Sequence, residues 1–210
     1  MIANTLEHFN PTEQKIFKAA ARIFVQRGRD GARMEDIARE AGINKALLHY
    51  YFRSKDKLYL TVFEQEIRKV MYDLFQSLNL EADIQTFLHT FIHNYIDRIN
   101  QNPLLIQFML WELRRGPRVF SELFQKTFSN LAYHPPKIIV QKIQRAVKNK
   151  EIRKVDPQHL LFNIIGMCIF TFIASPIITS FFQGLNTQHK SFINKRKDEI
   201  YNLIWNGIKP

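Results

Sequence analysis

The chain holds one cysteine, Cys168, in 210 residues. No intrachain disulfide can form, and such usage fits a reducing cytosol. Apolar neighbours, with no basic residue close in sequence to lower its pKa, make Cys168 a small core residue rather than a reactive thiol. The 7 glycines build neither a phosphate-binding loop nor a nucleophile elbow, and no paired-carboxylate motif occurs. No catalytic residue and no cofactor are therefore expected. No segment alternates at the period of a strand, and no internal repeat is visible. Met1 to Asn10 lack a basic start followed by an apolar run, so no signal peptide is expected and a cytoplasmic protein is.

What is present is apolar content and positive charge. Hydrophobic residues make up 46 %, enough to bury a core as one compact unit or two small ones. The 30 Lys and Arg outnumber 19 Asp and Glu, and a net charge of +11 favours polyanionic partners. The surplus is spread along the chain. Part of it lies in Lys137 to Lys154, where Lys137, Lys142, Arg145, Lys148, Lys150, Arg153 and Lys154 face the single acid Glu151. A solvated helix face is the expected role there, with a second nucleic-acid contact as the lesser reading.

The most informative stretch is Glu35 to Lys57. At helical period, Ile37, Ala38 and Ala41 share one side of a short helix, and Leu48, Tyr51 and Phe52 share one side of the next. Between them Gly42 can take positive φ at a helix end, and Asn44 can cap the helix that follows. Ala38 is small enough to let the two helices cross steeply. The second helix then projects Lys45, Ala46, His49 and Tyr50, a mixture of charge, hydrogen-bonding groups and a short side chain suited to the major groove. Ser54 can cap a third helix whose first turn sets Lys55 beside free backbone N–H groups, a phosphate site.

The run from Ala20 to Leu58 resembles the DNA-binding domain of the TetR family of one-component repressors. Phe24, Gly28, Ile37, Ala38, Ala41, Gly42, Lys45, Leu48, Tyr50, Tyr51, Phe52, Ser54, Lys55 and Leu58 carry the resemblance. It implies an all-α protein with a three-helix helix-turn-helix DNA-binding domain over residues 1–57 and a helical ligand-binding and dimerisation domain over residues 58–210. It further implies a sequence-specific transcriptional regulator, a repressor, released from a pseudo-palindromic operator by a small, largely apolar effector. Duplex geometry asks for a homodimer as well, because two reading helices must lie about 34 Å apart to enter successive major grooves.

Departures from the family pattern are informative. Ala32 and Arg33 stand where the family has a capping Thr or Ser, and Ala46, Leu47 and His49 stand where it has Gly, Thr or Ser, and Tyr. A cation in the first turn of a helix opposes its dipole by about 0.3–1 kcal/mol unless an anion offsets it, and a DNA phosphate is such an anion. The expected DNA-binding set is therefore Arg33, Lys45, Tyr50 and Lys55 on the backbone, Ala46, Leu47 and His49 on base edges, and Asn44 at the helix start.

Apolar spacing predicts further helices over Thr12 to Gln26, Ser54 to Leu78, Ile84 to Asn100, from Pro103, Val119 to Ala132, onward to Lys148, and Lys190 to Trp205. The uncharged run Leu160 to Phe182 is long enough to span a bilayer of about 30 Å. Asn163, Thr171, Ser175 and Pro176 argue for a helix buried on all sides instead. In the resembled family the penultimate helix faces both the ligand cavity and the dimer partner, so no membrane contact is expected. Phe192, Ile193, Ile200, Leu203 and Ile204 offer a second seam for that partner. Tyr95, Phe108, Trp111, Phe128, Asn163, Met167 and Thr171 are candidates to line an effector cavity. His89, His93 and Asp97 stand at metal-ligand spacing, yet they fall opposite the apolar arc and are expected to form a polar face rather than a metal site. The rival readings are a membrane-associated helical protein using residues 160–182 and a helical enzyme.

Overall fold

The computed structural model describes residues 9–115, 121–122, 125, 135–182 and 184–210; these are largely helical, with no strand among them. Helix α1, Pro11–Gly31, opens on a capping box. The Asn10 side chain accepts hydrogen bonds from the backbone N–H of Thr12 and Glu13, and the Glu13 carboxylate accepts the Asn10 N–H at 2.9 Å. The cap is thus Asn10 and the helix begins at Pro11, one residue before the Thr12 start predicted from apolar spacing. Gly28 (φ 68, ψ 172) leaves the helical path as a kink, and one more turn reaches Gly31.

The remaining described helices are α2 (Met34–Glu40), α3 (Lys45–Tyr51), α4 (Lys55–Gln76), α5 (Ile84–Gln101), α6 (Pro103–Arg115), α7 (Pro135–Lys148), α8 (Pro157–Ile173), α9 (Ser175–Phe181) and α10 (Lys190–Ile208). Asp83 and Asp156 cap α5 and α8, accepting backbone N–H groups of Thr86 and of Gln158 and His159 at 2.9 Å. These hydrogen bonds, led by Thr86 and His159 respectively, hold both carboxyls below the usual range. The helix expected over about Val119 to Ala132 falls largely outside the described residues, and Phe128 lies outside them.

Packing divides the chain into two compact units, one drawn from Met1–Tyr72 with Pro103–Ala132 and the other from Asp73–Asn102 with Tyr133–Pro210. In the first unit, Ile16, Phe24, Ile37, Leu48, Leu58 and Phe63 belong to one buried cluster, which Phe108 of α6 joins. The division read from the sequence falls at residues 57/58. Packing draws its line later, because Leu58, Tyr59, Val62 and Phe63 at the start of α4 are buried in the same cluster as α1 to α3.

In the second unit α8 packs on α5, α7 and α9, and α10 runs against α5 and α8. Two expectations are corrected here. Ile193, Ile200 and Ile204 are buried within the chain, Ile200 being 1 % exposed, so they are not a seam for a partner; Leu203 is, at 67 % exposure, the residue left facing outward. Leu160 to Phe182 is not one helix buried on all sides. It forms α8 and α9, bent by 65°, where Pro176 follows the junction at Ala174 and cannot continue the hydrogen-bond ladder. Leu160, Leu161, Ile164, Cys168 and Thr171 form the buried face of α8, while Phe162 and Phe170 are 79 % and 61 % exposed. No single helix among the described residues is long and apolar enough to cross a membrane; α8 and α9 reach that length only together, across the bend.

The basic run after Lys137 is also more than a solvated face. Lys142 Nζ donates to the carbonyls of Leu80 and Ala82 at 2.7 and 2.6 Å and lies 5.2 Å from the Phe87 ring centroid, pinning α7 to the start of α5.

Candidate nucleic-acid interface

Helix α2 ends by the route its sequence allows. Gly42 adopts φ 68, its N–H donates to Arg39 O at 3.1 Å, and the Ile43 N–H donates to Ala38 O at 3.0 Å. This paired closure reverses the chain in a left-handed glycine and satisfies carbonyls that the helix end would leave free. Asn44 then caps α3, its side chain accepting the Leu47 N–H at 2.7 Å. Ile37, Ala38, Leu48 and Phe52 are buried in the common cluster, which fixes α3 by one face.

The other face is open. Lys45, Ala46, Leu47, His49 and Tyr50 are all exposed, Tyr50 by 78 %. The Tyr50 ring meets Tyr51 edge-on with centroids 5.4 Å apart, and the Tyr51 hydroxyl accepts the Asn10 Nδ2 donor at 3.5 Å. The end of α3 is thereby tied to the cap of α1.

The electrostatics separate the expected phosphate contacts. Arg33 occupies the N-cap of α2 with extended backbone and no side-chain cap. Its carbonyl accepts the Asp36 and Ile37 N–H groups at 3.1 and 3.2 Å, while its exposed side chain makes no hydrogen bond or ion pair among the described residues. Of the carboxylates near it in sequence, Asp36 is held by Arg27 and Arg39. Lys45 is ion-paired with Glu35, which holds the Glu35 carboxyl below the usual range. Lys55 is half-buried, and its Nζ donates to the carbonyls of Asp30 and Ala32 at 3.2 and 3.1 Å. Its ammonium joins the α1–α2 connection to the start of α4. Ser54 caps α4 by accepting the Lys57 N–H at 3.1 Å. Arg53 and Lys57, on either side of that cap, are exposed and without an ion-pair partner among the described residues. Sequence reading passed over both, although their place beside a capped helix start was the available signal.

The described members of the expected effector set fall in both units. Phe108 and Trp111 belong to the first unit, where Phe108 meets the rings of Tyr59, Phe63 and Trp111 at 5.1, 5.5 and 6.2 Å. Tyr95, Asn163, Met167 and Thr171 belong to the second. There Tyr95 is buried beside Phe91, and burial raises its hydroxyl pKa. Thr171 accepts the Arg196 Nε donor at 3.1 Å. Asn163 is exposed and lines a cleft of about 320 Å³ with His159 and Leu203. A larger groove of about 620 Å³, between Leu80–Ile84 and α7, is lined by none of the described members of this set.

Residues 16–62 match the family described as bacterial regulatory proteins, tetR family, and residues 64–210 match the family described as YcdC-like protein, C-terminal region. The HTH-type transcriptional regulator RutR of Escherichia coli (strain K12) is 25 % identical over 204 residues, 94 % of this chain and 91 % of that one. The HTH-type transcriptional repressor SCO4008 of Streptomyces coelicolor is 34 % identical over 105 residues, 48 % of this chain and 49 % of that one. The crystal structure of AibR in complex with isovaleryl coenzyme A and operator DNA has a TM-score of 0.68 at 17 % identity, covering 91 % of this chain and 97 % of that one. Two family matches that together run from residue 16 to residue 210 leave little of the sequence unaccounted for, and the chain belongs to the tetR family of bacterial regulatory proteins.

Proposed function

We propose that this protein is a cytoplasmic, homodimeric transcriptional repressor that reads a pseudo-palindromic operator with α3 and releases it when a small, largely apolar effector occupies the region 58–210. Residues 1–57 supply the DNA contacts in this reading. The observation that carries it is the two-sidedness of α3: Leu48 is fully buried while Lys45, Ala46, Leu47, His49 and Tyr50 are exposed together. A helix fixed by one face and presenting a mixed polar face is built to enter a groove. Relatives named as transcriptional regulators and repressors support the DNA-binding part of this reading, and AibR, in complex with isovaleryl coenzyme A and operator DNA, supports a fold that takes both a small molecule and DNA.

Roles divide by chemistry. Arg33, Lys45 and Tyr50 hold phosphates, with Asn44 ordering the helix start; Ala46, Leu47 and His49 meet base edges. Arg53 and Lys57 join the phosphate set. The effector must bind the DNA-free form more tightly than the DNA-bound form, since only differential affinity can shift the equilibrium.

Selection from a random duplex pool, followed by binding to the selected and to random sequence across a salt series, tests the reading. Arg33→Ser should weaken both duplexes about equally and make the salt slope shallower by about one unit per reading head. His49→Ala should lose discrimination between the two duplexes. An unenriched pool, or variants that leave affinity, slope and discrimination unchanged, would sink it.

A further inference from the structure

His89 and His93 stand one helical turn apart on α5, and their rings stack with centroids 4.0 Å apart. Helical spacing alone named Asp97 as the third member of this group. In the folded unit Asp97 instead pairs with Lys197 of α10 at 2.5 Å, and Asp198, the next residue of α10, takes the place beside the histidines. One ligand atom from each of His89, His93 and Asp198 lies within 4.8 Å of the others. Asp198 Oδ1 is 3.3 Å from His93 Nε2, yet that nitrogen is buried without a hydrogen-bond partner. The His93 nitrogen and the Asp198 oxygen are thus two potential ligand atoms held close together with no hydrogen bond between them.

We propose that His89, His93 and Asp198 form a binding site for a divalent transition-metal ion of the zinc class, separate from the DNA-reading helix. Two imidazoles and one carboxylate are ligands this class accepts, with a fourth position left for water. Zinc-to-ligand bonds of about 2.0–2.1 Å in a tetrahedron put two ligand atoms about 3.3 Å apart, which is the separation His93 and Asp198 already hold. A side-chain rotation at exposed His89 supplies the third bond. Tyr201 packs edge-on against the His89 ring with centroids 4.9 Å apart, limiting that ring's orientations. Lys197 does not oppose the ion with an uncompensated charge, because Asp97 neutralises it. The bound ion would cross-link α5 to α10.

The untagged full chain, stripped with a chelator, is titrated with Zn²⁺ against a chromophoric zinc indicator and with Co²⁺ followed in the visible spectrum. One ion per chain and a Co²⁺ spectrum of tetrahedral intensity are expected. His89→Ala and Asp198→Asn should each weaken Zn²⁺ binding by at least about tenfold, with helical circular dichroism unchanged because both side chains are exposed. No stoichiometric binding by the parent chain, or undiminished affinity in either variant, overturns the site. No DNA enters the assay, so failure here is distinct from failure of the operator reading.

Discussion

Gly28 holds φ 68 and ψ 172, a region that glycine alone occupies without strain. Space is not the obstacle, since an added Cβ would meet Trp111 at 3.6 Å, an ordinary contact. Gly28→Ala should therefore cost about 1–3 kcal/mol through the backbone alone, read as a lower urea midpoint with unchanged slope. A second single-residue effect concerns Lys45, which Glu35 occupies in the DNA-free chain. Glu35→Gln frees it and should tighten operator and random duplex alike, by no more than severalfold because the pair is exposed and screened by solvent. Fluorescence anisotropy at fixed salt measures this, and a gain confined to the operator would mean that Lys45 reads bases. Glu66 supplies a pH dependence. Burial raises its carboxyl pKa, against a smaller opposing effect of Lys69, so the folded state binds more protons than the unfolded one. Its contribution is most favourable below the ordinary carboxylate range and is lost as pH rises through the raised value. Glu66→Gln should accordingly raise Tm at neutral pH and leave it nearly unchanged near about pH 4.

At the scale of elements, the helix termini carry the architecture. The sequence showed that Asn44, Ser54 and Gly42 could close or open helices, and the structure uses each of them so. It did not single out Asn10, which lies just outside the apolar-spaced span predicted from Thr12. Asn10→Ala should cost about 1 kcal/mol, with Asn10→Ser recovering most of it in thermal unfolding. Lys55 separates two roles at the start of α4. As a clasp between α4 and the carbonyls of Asp30 and Ala32, it should make Lys55→Met less stable while leaving the salt slope of DNA binding intact. Full stability with a slope shallower by about one unit would make it a phosphate contact instead.

At the scale of the molecule, the proposed homodimer needs exposed apolar area, and Phe162 and Phe170 of α8 and Leu203 of α10 are each more than half exposed. Phe170→Asp with Leu203→Asp should give a folded monomer by sedimentation and weaken operator binding sharply. Ile200→Glu should instead unfold the second unit, because Ile200 is buried between helices of its own chain. A double variant that stays dimeric would place the interface elsewhere.

The sequence alone determined the helical class, the turn between α2 and α3 and the face that α3 exposes, because each follows from local period, a capping side chain or a glycine. It could not decide what depends on which helix lies beside which. Ile193, Ile200 and Ile204 read as an apolar stripe whether α5 or a second copy covers them, and α5 does. Phe108 and Trp111 read alike in sequence, and packing within the first unit buries Phe108 fully while leaving Trp111 half-buried at the margin of the same cluster. Asp97 and Asp198 are far apart in sequence, and only the approach of α10 to α5 decided which of them stands beside His93.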